Sequence, residues 1–286
     1  MKELTVLSGK GGTGKTSLVG AFAVLAENKV MIDCDVDAAD LHLILKPEVK
    51  ETNDFYGLNE YLINRDICIE CGKCEELCRF KAIDNFQIDV ISCEGCGICF
   101  LACPVSAIET KGRICGQWFI SKTKYGPLVH AKLGIAQENS GKLVAEVRKA
   151  AKKMAQKKGI SLVITDGSPG IGCPVIASLS GTDLVLIVTE PTVSGVHDLE
   201  RILDLCAHFK IKSLVCINKF DLNLKKTREI EELCKERKVE VAGKIDYDPI
   251  FTKALIKGMP VVEFSDGETS RRIKTLWENI YEKLNV

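Results

Sequence analysis

The run Ser8-Gly9-Lys10-Gly11-Gly12-Thr13-Gly14-Lys15-Thr16 fits the phosphate-binding pattern G-x-x-x-x-G-K-[ST]. Glycine lets the backbone curl closely around phosphate oxygens, where a Cβ would collide. The N–H groups that open the following helix, from Gly9 through Gly11, Gly12, Thr13 and Gly14 to Ser17, then face the anion, and the helix dipole adds attraction. Lys15 is placed to reach the β- and γ-phosphates, and Thr16 to ligate Mg²⁺ through its hydroxyl. The alternative is a glycine-rich turn without a ligand. The flanks speak against it: Leu4–Leu7 reads as a buried strand and Ser17–Leu25 as a helix.

The second chemical signal is sulfur. Cys68-x-x-Cys71-x-x-Cys74-x-x-x-Cys78 is followed by Cys93-x-x-Cys96-x-x-Cys99-x-x-x-Cys103-Pro104, so eight of the fourteen cysteines form a tandem repeat of the bacterial ferredoxin pattern. In that pattern three close thiolates hold one cubane and the fourth cysteine of each run reaches the other. The spacing therefore assigns one [4Fe–4S] cluster to Cys68, Cys71, Cys74 and Cys103, and a second to Cys93, Cys96, Cys99 and Cys78. Zinc is the alternative, but zinc sites use two separated pairs of ligands. Arg79 stands where proline commonly follows the fourth cysteine.

Stepping outward, these groups need a sheet to position them. Lys29–Asp33 is a second strand, with Asp33, Asp35 and Asp37 at its carboxyl end; Ser161–Asp166 is another that stays apolar until Asp166. Carboxylates at strand carboxyl ends face the ligand crevice of an open parallel sheet. Strands are also expected over Asp183–Thr189 and Ser213–Asn218, with a helix over Ser194–Phe209 between them. The expected fold is α/β: a doubly wound, mostly parallel sheet of the P-loop NTPase type, with a ferredoxin-like α+β module inserted. The domain reading is 1–62 for the first part of the nucleotide domain, 63–109 for the inserted module, and 110–286 for the second part.

Composition sets limits. Lysine plus arginine equals aspartate plus glutamate at 39 each over 286 residues, and no basic block stands out, which argues against a nucleic-acid binder. The apolar runs are too short and interrupted to span a membrane. A strand begins within a few residues of Met1, leaving no room for a signal peptide, so a cytoplasmic protein is expected.

Lys10, directly after the first glycine, gives Lys-Gly-Gly-Thr-Gly-Lys-Thr. On its own this lysine reads equally as a solvated charge. The sequence as a whole resembles the MinD/ParA/Mrp and nitrogenase-iron-protein group of ATPases with a deviant P-loop, and within it those members that carry an inserted ferredoxin domain. The resemblance implies that Lys10 crosses a nucleotide-dependent homodimer interface to the partner's phosphates. It implies that Asp35 orients the attacking water, with Asp33 and Asp37 in support, and that Asp166 holds Mg²⁺ as a Walker B carboxylate. It further implies that Gly170, in the switch-II-like run Gly167–Gly172, senses the γ-phosphate, that Asn218 reads adenine, and that the loop at Pro249 covers the base. The form Asn218-Lys219-Phe220-Asp221 also resembles the guanine motif of GTPases; the deviant P-loop favours ATP.

Several residues invite sharper readings than they carry. His130 lies on an alternating strand and is expected to be structural. Trp118 and Phe119 are expected to pack the inserted module against the nucleotide domain. Cys173, beside switch II, matches the neighbourhood of a cluster ligand in the nitrogenase iron protein, with Cys115 available as a second thiol, but a small buried thiol is favoured. Cys34, Cys206, Cys216 and Cys234 read as ordinary apolar residues. The helix from Ser140 to Lys158 has an apolar stripe and a lysine face expected to be solvated. The amphipathic segment Ser270–Leu284 reads as a helix docked on the sheet rather than on a membrane. The leading function is an ATPase that couples dimer closure to electron transfer through the clusters to a redox partner. The rivals are a metallocluster assembly or carrier factor of the Mrp type, with a metallocluster acceptor as partner, and a positioning ATPase with vestigial redox parts.

Overall fold

A computed structural model describes residues 1–36, 39–134 and 140–284, apart from the side chain of residue 58. Asp37 therefore lies outside the described residues. The chain begins with β1 (Lys2–Ser8), α1 (Lys15–Leu25), β2 (Lys29–Asp33), α2 (Leu41–Leu45) and the long strand β3 (Glu48–Ile63). A cysteine-rich stretch follows, with α3 (Lys73–Leu77), β4 (Ile83–Asp84), β5 (Gln87–Ile88) and α4 (Ile98–Ala102). Then come β6 (Ile108–Thr123), β7 (Gly126–Leu133), α5 (Ser140–Lys158), β8 (Leu162–Pro169), α6 (Cys173–Leu179), β9 (Leu184–Thr189) and α7 (Val193–His208). The chain closes with β10 (Lys212–Asn218), α8 (Leu224–Glu236), β11 (Glu240–Ile245), α9 (Ile250–Ile256), α10 (Val261–Phe264) and α11 (Glu268–Leu284).

The chain divides into two compact units, one of residues 1–53, 118–132 and 140–286, the other of 54–117 and 133–139. The strands β3 and β6 each continue from one unit into the other. A nine-stranded sheet runs in the order β11-β10-β9-β1-β8-β2-β7-β6-β3. β1 pairs in parallel with β8 and β9, and β2 with β8 and β7. This register sets Asp166 opposite both Val6 and Asp33, so the acidic strand ends share one edge with the loop after β1.

In the first unit, helices cover both faces of the sheet. α1 buries Leu18, Val19, Ala21, Phe22 and Ala23 completely, as a helix flanking a parallel sheet must. α11 is amphipathic: Ile273, Leu276, Trp277, Ile280 and Leu284 recur at helical spacing and are all buried, with Trp277 5.1 Å from the Phe22 ring. Each such side chain contributes ~1.5–3 kcal/mol on burial, enough to keep this face on the core. α5 buries Leu143, Val144, Val147, Ala151 and Met154 in the same way. Cys34, Cys206, Cys216 and Cys234 are core residues, and burial pushes the thiols of Cys206 and Cys216 up to about 12 and that of Cys234 up to about 11. His130 stacks on Phe119 at 5.0 Å and bonds Ser121 Oγ through Nε2 at 2.9 Å. Burial, with some repulsion from His42, lowers its pKa to about 4, so the ring is neutral. Phe119 thus belongs to a stack inside the first unit, and Trp118 lines an open cleft there.

The second unit has internal repetition. α3 and α4 each follow a glycine, and β4 and β5 form a small antiparallel pair. Its core is Tyr61, Ile83, Cys99 and Ile108, with Cys74, Cys78, Cys93 and Cys103 packed against it. Cys115 is fully buried in this unit.

Candidate functional site

The loop between β1 and α1 has its shape fixed by close contacts. Gly14 caps α1 with φ 91°, and a Cβ there would meet Asn218 Nδ2 at 2.4 Å. Only glycine meets both demands. Asn218, at the end of β10, is 3% exposed and donates Nδ2 to the Thr13 carbonyl at 2.7 Å, while its Oδ1 accepts the Lys219 N–H at 3.1 Å. Lys219 in turn donates to the Gly12 carbonyl at 3.0 Å. The end of β10 therefore braces the loop after β1.

Lys15 is 5% exposed, with Nζ 2.5 Å from Asp166 Oδ1, 3.6 Å from Asp35 Oδ2 and 3.5 Å from Thr16 Oγ1. Burial alone would lower its pKa. Asp166 and Asp35, with Asp33 behind them, reverse that and raise it, so the ammonium is firmly charged. Asp33 is pushed well above the ordinary carboxylate range, by burial first and by Asp166 next. It accepts the N–H groups of Asp35 at 3.0 Å and Leu41 at 3.2 Å, which fixes the loop that carries Asp35. Asp166 is completely buried, and its Oδ2 has no hydrogen-bond partner among the described residues; Thr13 Oγ1 is likewise unpartnered. A buried carboxylate oxygen left bare is costly. Beside a hydroxyl and a row of loop N–H groups, it fits a divalent cation held with a polyphosphate.

Other groups are occupied in this state. Lys10 Nζ sits 2.7 Å from Glu190 Oε1, 3.2 Å from Thr192 Oγ1 and 3.0 Å from Ser194 Oγ. Glu190 also takes Lys219 at 2.8 Å. Burial would raise the Glu190 pKa, but the two ammonium groups outweigh it and lower it. The Gly170 N–H is donated to the Ser8 carbonyl at 2.9 Å. Ser8 Oγ bonds the Lys10 carbonyl at 2.9 Å, and Ser168 Oγ the Cys34 carbonyl at 2.7 Å. Glu190, Thr192 and Ser194 escaped the sequence reading. Glu190 had a usable signal, an acidic residue just past the carboxyl end of a strand adjacent to β1.

Beside the loop opens a cleft of about 210 Å³ lined by Gly12, Gly14, Ser17, Asn218, Asp246, Tyr247, Asp248 and Phe251. Pro249 starts α9 at its side. Asp221 does not line this cleft; its carboxylate accepts the Tyr247 N–H at 2.6 Å. Gly9, at the other end of the loop, approaches α7 so closely that a Cβ would lie 2.2 Å from Asp198 Cβ.

In the second unit, one cavity is lined by Cys68, Cys71, Cys74 and Cys103, with Ile63, Ile69, Phe86 and Ile108 around them. Backbone N–H groups point at sulfur: Glu70 to Cys68 at 3.4 Å, Ala82 to Cys78 at 3.4 Å and Ala107 to Cys103 at 3.2 Å. Cys99 is 6% exposed; burial raises its pKa, and Cys93 and Cys96 lie close enough to add to the shift. Among the described residues no three His, Cys, Asp or Glu side chains converge tightly enough to hold a single metal ion. Cys173, in the first unit, is exposed at the start of α6 rather than buried, because it sits on the outer end of a short helix after the glycine-rich turn.

A phosphate-binding loop between β1 and α1, with acidic strand ends facing it across a parallel sheet, defines a P-loop nucleotide-binding ATPase fold. The CobQ/CobB/MinD/ParA nucleotide binding domain matches residues 4–261, and the chain belongs to that family. It is 34% identical over 283 residues to an uncharacterized protein of Methanocaldococcus jannaschii, covering 98% of this chain and 96% of that one. It is 23% identical to the septum site-determining protein MinD of Bacillus subtilis, over 91% of this chain and 81% of that protein. A short segment of 48 residues, 16% of this chain, is 44% identical to the pyruvate synthase subunit PorD of Methanothermobacter marburgensis, of which it spans 59%. Among solved structures, the cell division ATPase MinD of Pyrococcus furiosus aligns with a TM-score of 0.60 at 16% identity, covering 98% of each chain. MinD of Pyrococcus horikoshii, complexed with Mg-ADP, aligns at 0.59 over 98% of this chain and 95% of that one, also at 16% identity. No helix among the described residues is long and apolar enough to cross a membrane.

Proposed function

We propose that the chain is an ATP-hydrolysing iron–sulfur protein, in which residues 63–109 form a ferredoxin-type module holding two [4Fe–4S] clusters and ATP drives closure of a homodimer. The observation that carries the redox half of this reading is the cavity lined by Cys68, Cys71, Cys74 and Cys103. Three of these come from one cysteine run and the fourth from the other, the crossed set the spacing calls for. The remaining set is Cys78, Cys93, Cys96 and Cys99. The N–H groups aimed at Cys68, Cys78 and Cys103 suit thiolate ligands, whose charge they stabilise. The segment similar to PorD adds support.

For the nucleotide half, Asp166 and Thr16 are the residues that would hold Mg²⁺, which when bound neutralises charge on the β- and γ-phosphates. Lys15 exchanges its bond to Asp166 for the phosphate oxygens, freeing that carboxylate. Gly170 turns its N–H from Ser8 toward the γ-phosphate. Asp35, fixed by Asp33, orients the attacking water, and Lys10 leaves Glu190 to reach the partner's nucleotide. These groups stabilise by charge and position, with no covalent intermediate. The cleft lined by Asn218, Asp246, Tyr247 and Asp248, with Pro249 at its side, is where the base would sit. Asp221 does not line the cleft and accepts the Tyr247 N–H, and the deviant P-loop favours ATP.

The test is an iron and sulfide count on anaerobically purified protein, with EPR of the reduced form with and without Mg-ATP. About eight irons with a nucleotide-dependent spectrum or potential is the expected result and supports gated electron transfer. About four irons or fewer overturns the two-cluster reading. A full complement with no response to Mg-ATP refutes coupling and moves the reading to a metallocluster carrier.

A further inference from the structure

The lysine face of α5 is exposed and borders an unfilled part of the sheet. α5 packs on β2, β8 and α6, while the sheet runs on past it through β7, β6 and β3. A parallel sheet of this kind ordinarily has a helix over each such face. Here, within the first unit, the position beside α5 is an open cleft of about 800 Å³.

Its floor is apolar and its rim basic. Trp118 and Ile120 project from β6 on the face that alternate residues share, and Pro127, Ala150 and Met154 complete the floor. Lys50, Lys122 and Lys124 stand on the sheet side, and Lys153, Lys157 and Lys158 on the helix side, against the single acidic residue Glu51. Lys50 and Lys124 are engaged by Glu48 and Glu263. Lys152 is taken by Glu3 at 2.7 Å, but Lys153, Lys157 and Lys158 have no ion-pair partner among the described residues. The cleft shares no lining residue with the nucleotide cleft.

We propose that this cleft is a docking groove for an acidic amphipathic helix of a partner protein. The dimensions suit one. From Trp118 to Lys124 a strand extends ~20 Å, the length of a helix of ~13 residues. A helix laid there sets an apolar stripe on Trp118, Ile120 and Met154, with acidic residues reaching Lys122 past the end of the apolar floor and Lys153 and Lys157 along the helix side. A bare polyanion satisfies the lysines but leaves the apolar floor uncovered, and a neutral helix does the reverse. The occupant that answers both is apolar along one stripe and acidic beside it.

Trp118 supplies the readout, since the only other tryptophan, Trp277, is 7% exposed in the core. The probe is an acetylated, amidated peptide of about 14 residues made of leucine and glutamate with the leucines on one helical face. Its comparators are a shuffled peptide of the same composition and oligothymidylate. The expected result is a saturable blue shift of Trp118 emission with the amphipathic peptide, and binding at least about tenfold weaker for both comparators. The double variant Lys153→Glu/Lys157→Glu is expected to weaken binding by about tenfold while leaving ATP hydrolysis and the circular dichroism spectrum unchanged. If that variant misfolds, Lys122→Glu gives the same test from the opposite rim. Equal binding of the shuffled peptide, tighter binding of oligothymidylate, or no response to the amphipathic peptide each overturns the proposal.

Discussion

Glu190 holds the signature lysine in its own subunit, so replacing it with glutamine is expected to tighten the ATP-dependent dimer. The Lys10–Glu190 contact is 2.7 Å long, with the lysine side chain 33% exposed and the glutamate 13%. A fully exposed pair is worth ~0.5 kcal/mol and a desolvated charge-assisted bond ~1.5–3 kcal/mol; a half-screened contact of this kind lies near ~1 kcal/mol. Glutamine keeps the shape and one acceptor oxygen, which Lys10 and Lys219 then compete for. On the proposed closure each protomer releases Lys10, so the variant dimer regains ~2 kcal/mol, about a thirtyfold fall in its dissociation constant. Sedimentation equilibrium with Mg²⁺ and a non-hydrolysable ATP analogue measures this directly. Adding Lys10→Ala to Glu190→Gln is expected to erase the gain. An unchanged or larger dissociation constant, in a variant that unfolds at the wild-type temperature, would refute the latch.

Four further outcomes follow from the geometry. Gly9→Ala forces its Cβ against Asp198 and is expected to cost ~1–3 kcal/mol in thermal unfolding, whereas Gly11→Ala, with nothing within 4 Å of its Cβ, is expected to be close to neutral; equal stabilities sink this reading. Lys15→Met removes the cation bonded to buried Asp166, abolishes ATP hydrolysis and costs ~3–5 kcal/mol in urea unfolding at neutral pH. Lys15 holds the Asp33 pKa down, so its removal raises that pKa further and the variant gains more than the wild type on protonation; the loss therefore shrinks as pH falls, and a loss that grows on acidification contradicts it. His130, neutral in the fold down to about pH 4, makes the native state bind fewer protons than the unfolded chain between that value and ~6.5, so stability falls as pH drops through this window. The effect, discounted for the partial exposure of the ring, is ~1–2 kcal/mol, and His130→Phe should flatten this part of the urea-derived stability profile. Cys103→Ser is expected to lower the iron content from about eight to about four per chain while sparing the cluster assigned to Cys78, Cys93, Cys96 and Cys99; complete retention of iron removes Cys103 from the ligand set.

Residue chemistry was legible wherever local spacing dictates it. The loop from Gly9 to Thr16 could be read because phosphate demands glycine, lysine and a hydroxyl at fixed intervals along a few residues. The aspartates at 33, 35 and 166 could be read because strand ends face the ligand edge of a parallel sheet. Contacts that join distant segments left no such trace. Glu190 follows Lys10 by most of the chain, and only the pairing of β1 with β9 brings them together. Asn218 matches a base-reading position, yet its amide is committed to the Thr13 carbonyl, a role fixed by the packing of β10 against the loop. The strand β3 was missed over Glu48–Ile63 because Asn53, Asp54 and Gly57 look like turn residues. Long strands can absorb them when a partner such as β6 supplies the ladder.

The lysine face of α5 is solvated, as its periodicity implies, and those same long strands explain why the trough beside it left no trace in the sequence. Read alone, α5 is an amphipathic helix whose lysines face water, and net neutrality of the chain hides any local excess. The helix covers β2 and β8, but β3 and β6 carry the sheet further, so Trp118 and Ile120 come to lie beside a basic helix instead of under a helix of their own. A periodicity argument finds which face of α5 is buried. It cannot find that the neighbouring face looks across a trough at three more lysines. That arrangement arises only once the strands flanking the cysteine-rich unit are long enough to widen the sheet. The features that give the chain its second unit thus also create the cleft, and a groove made this way is expected wherever the two long strands are present and lost where they are shortened.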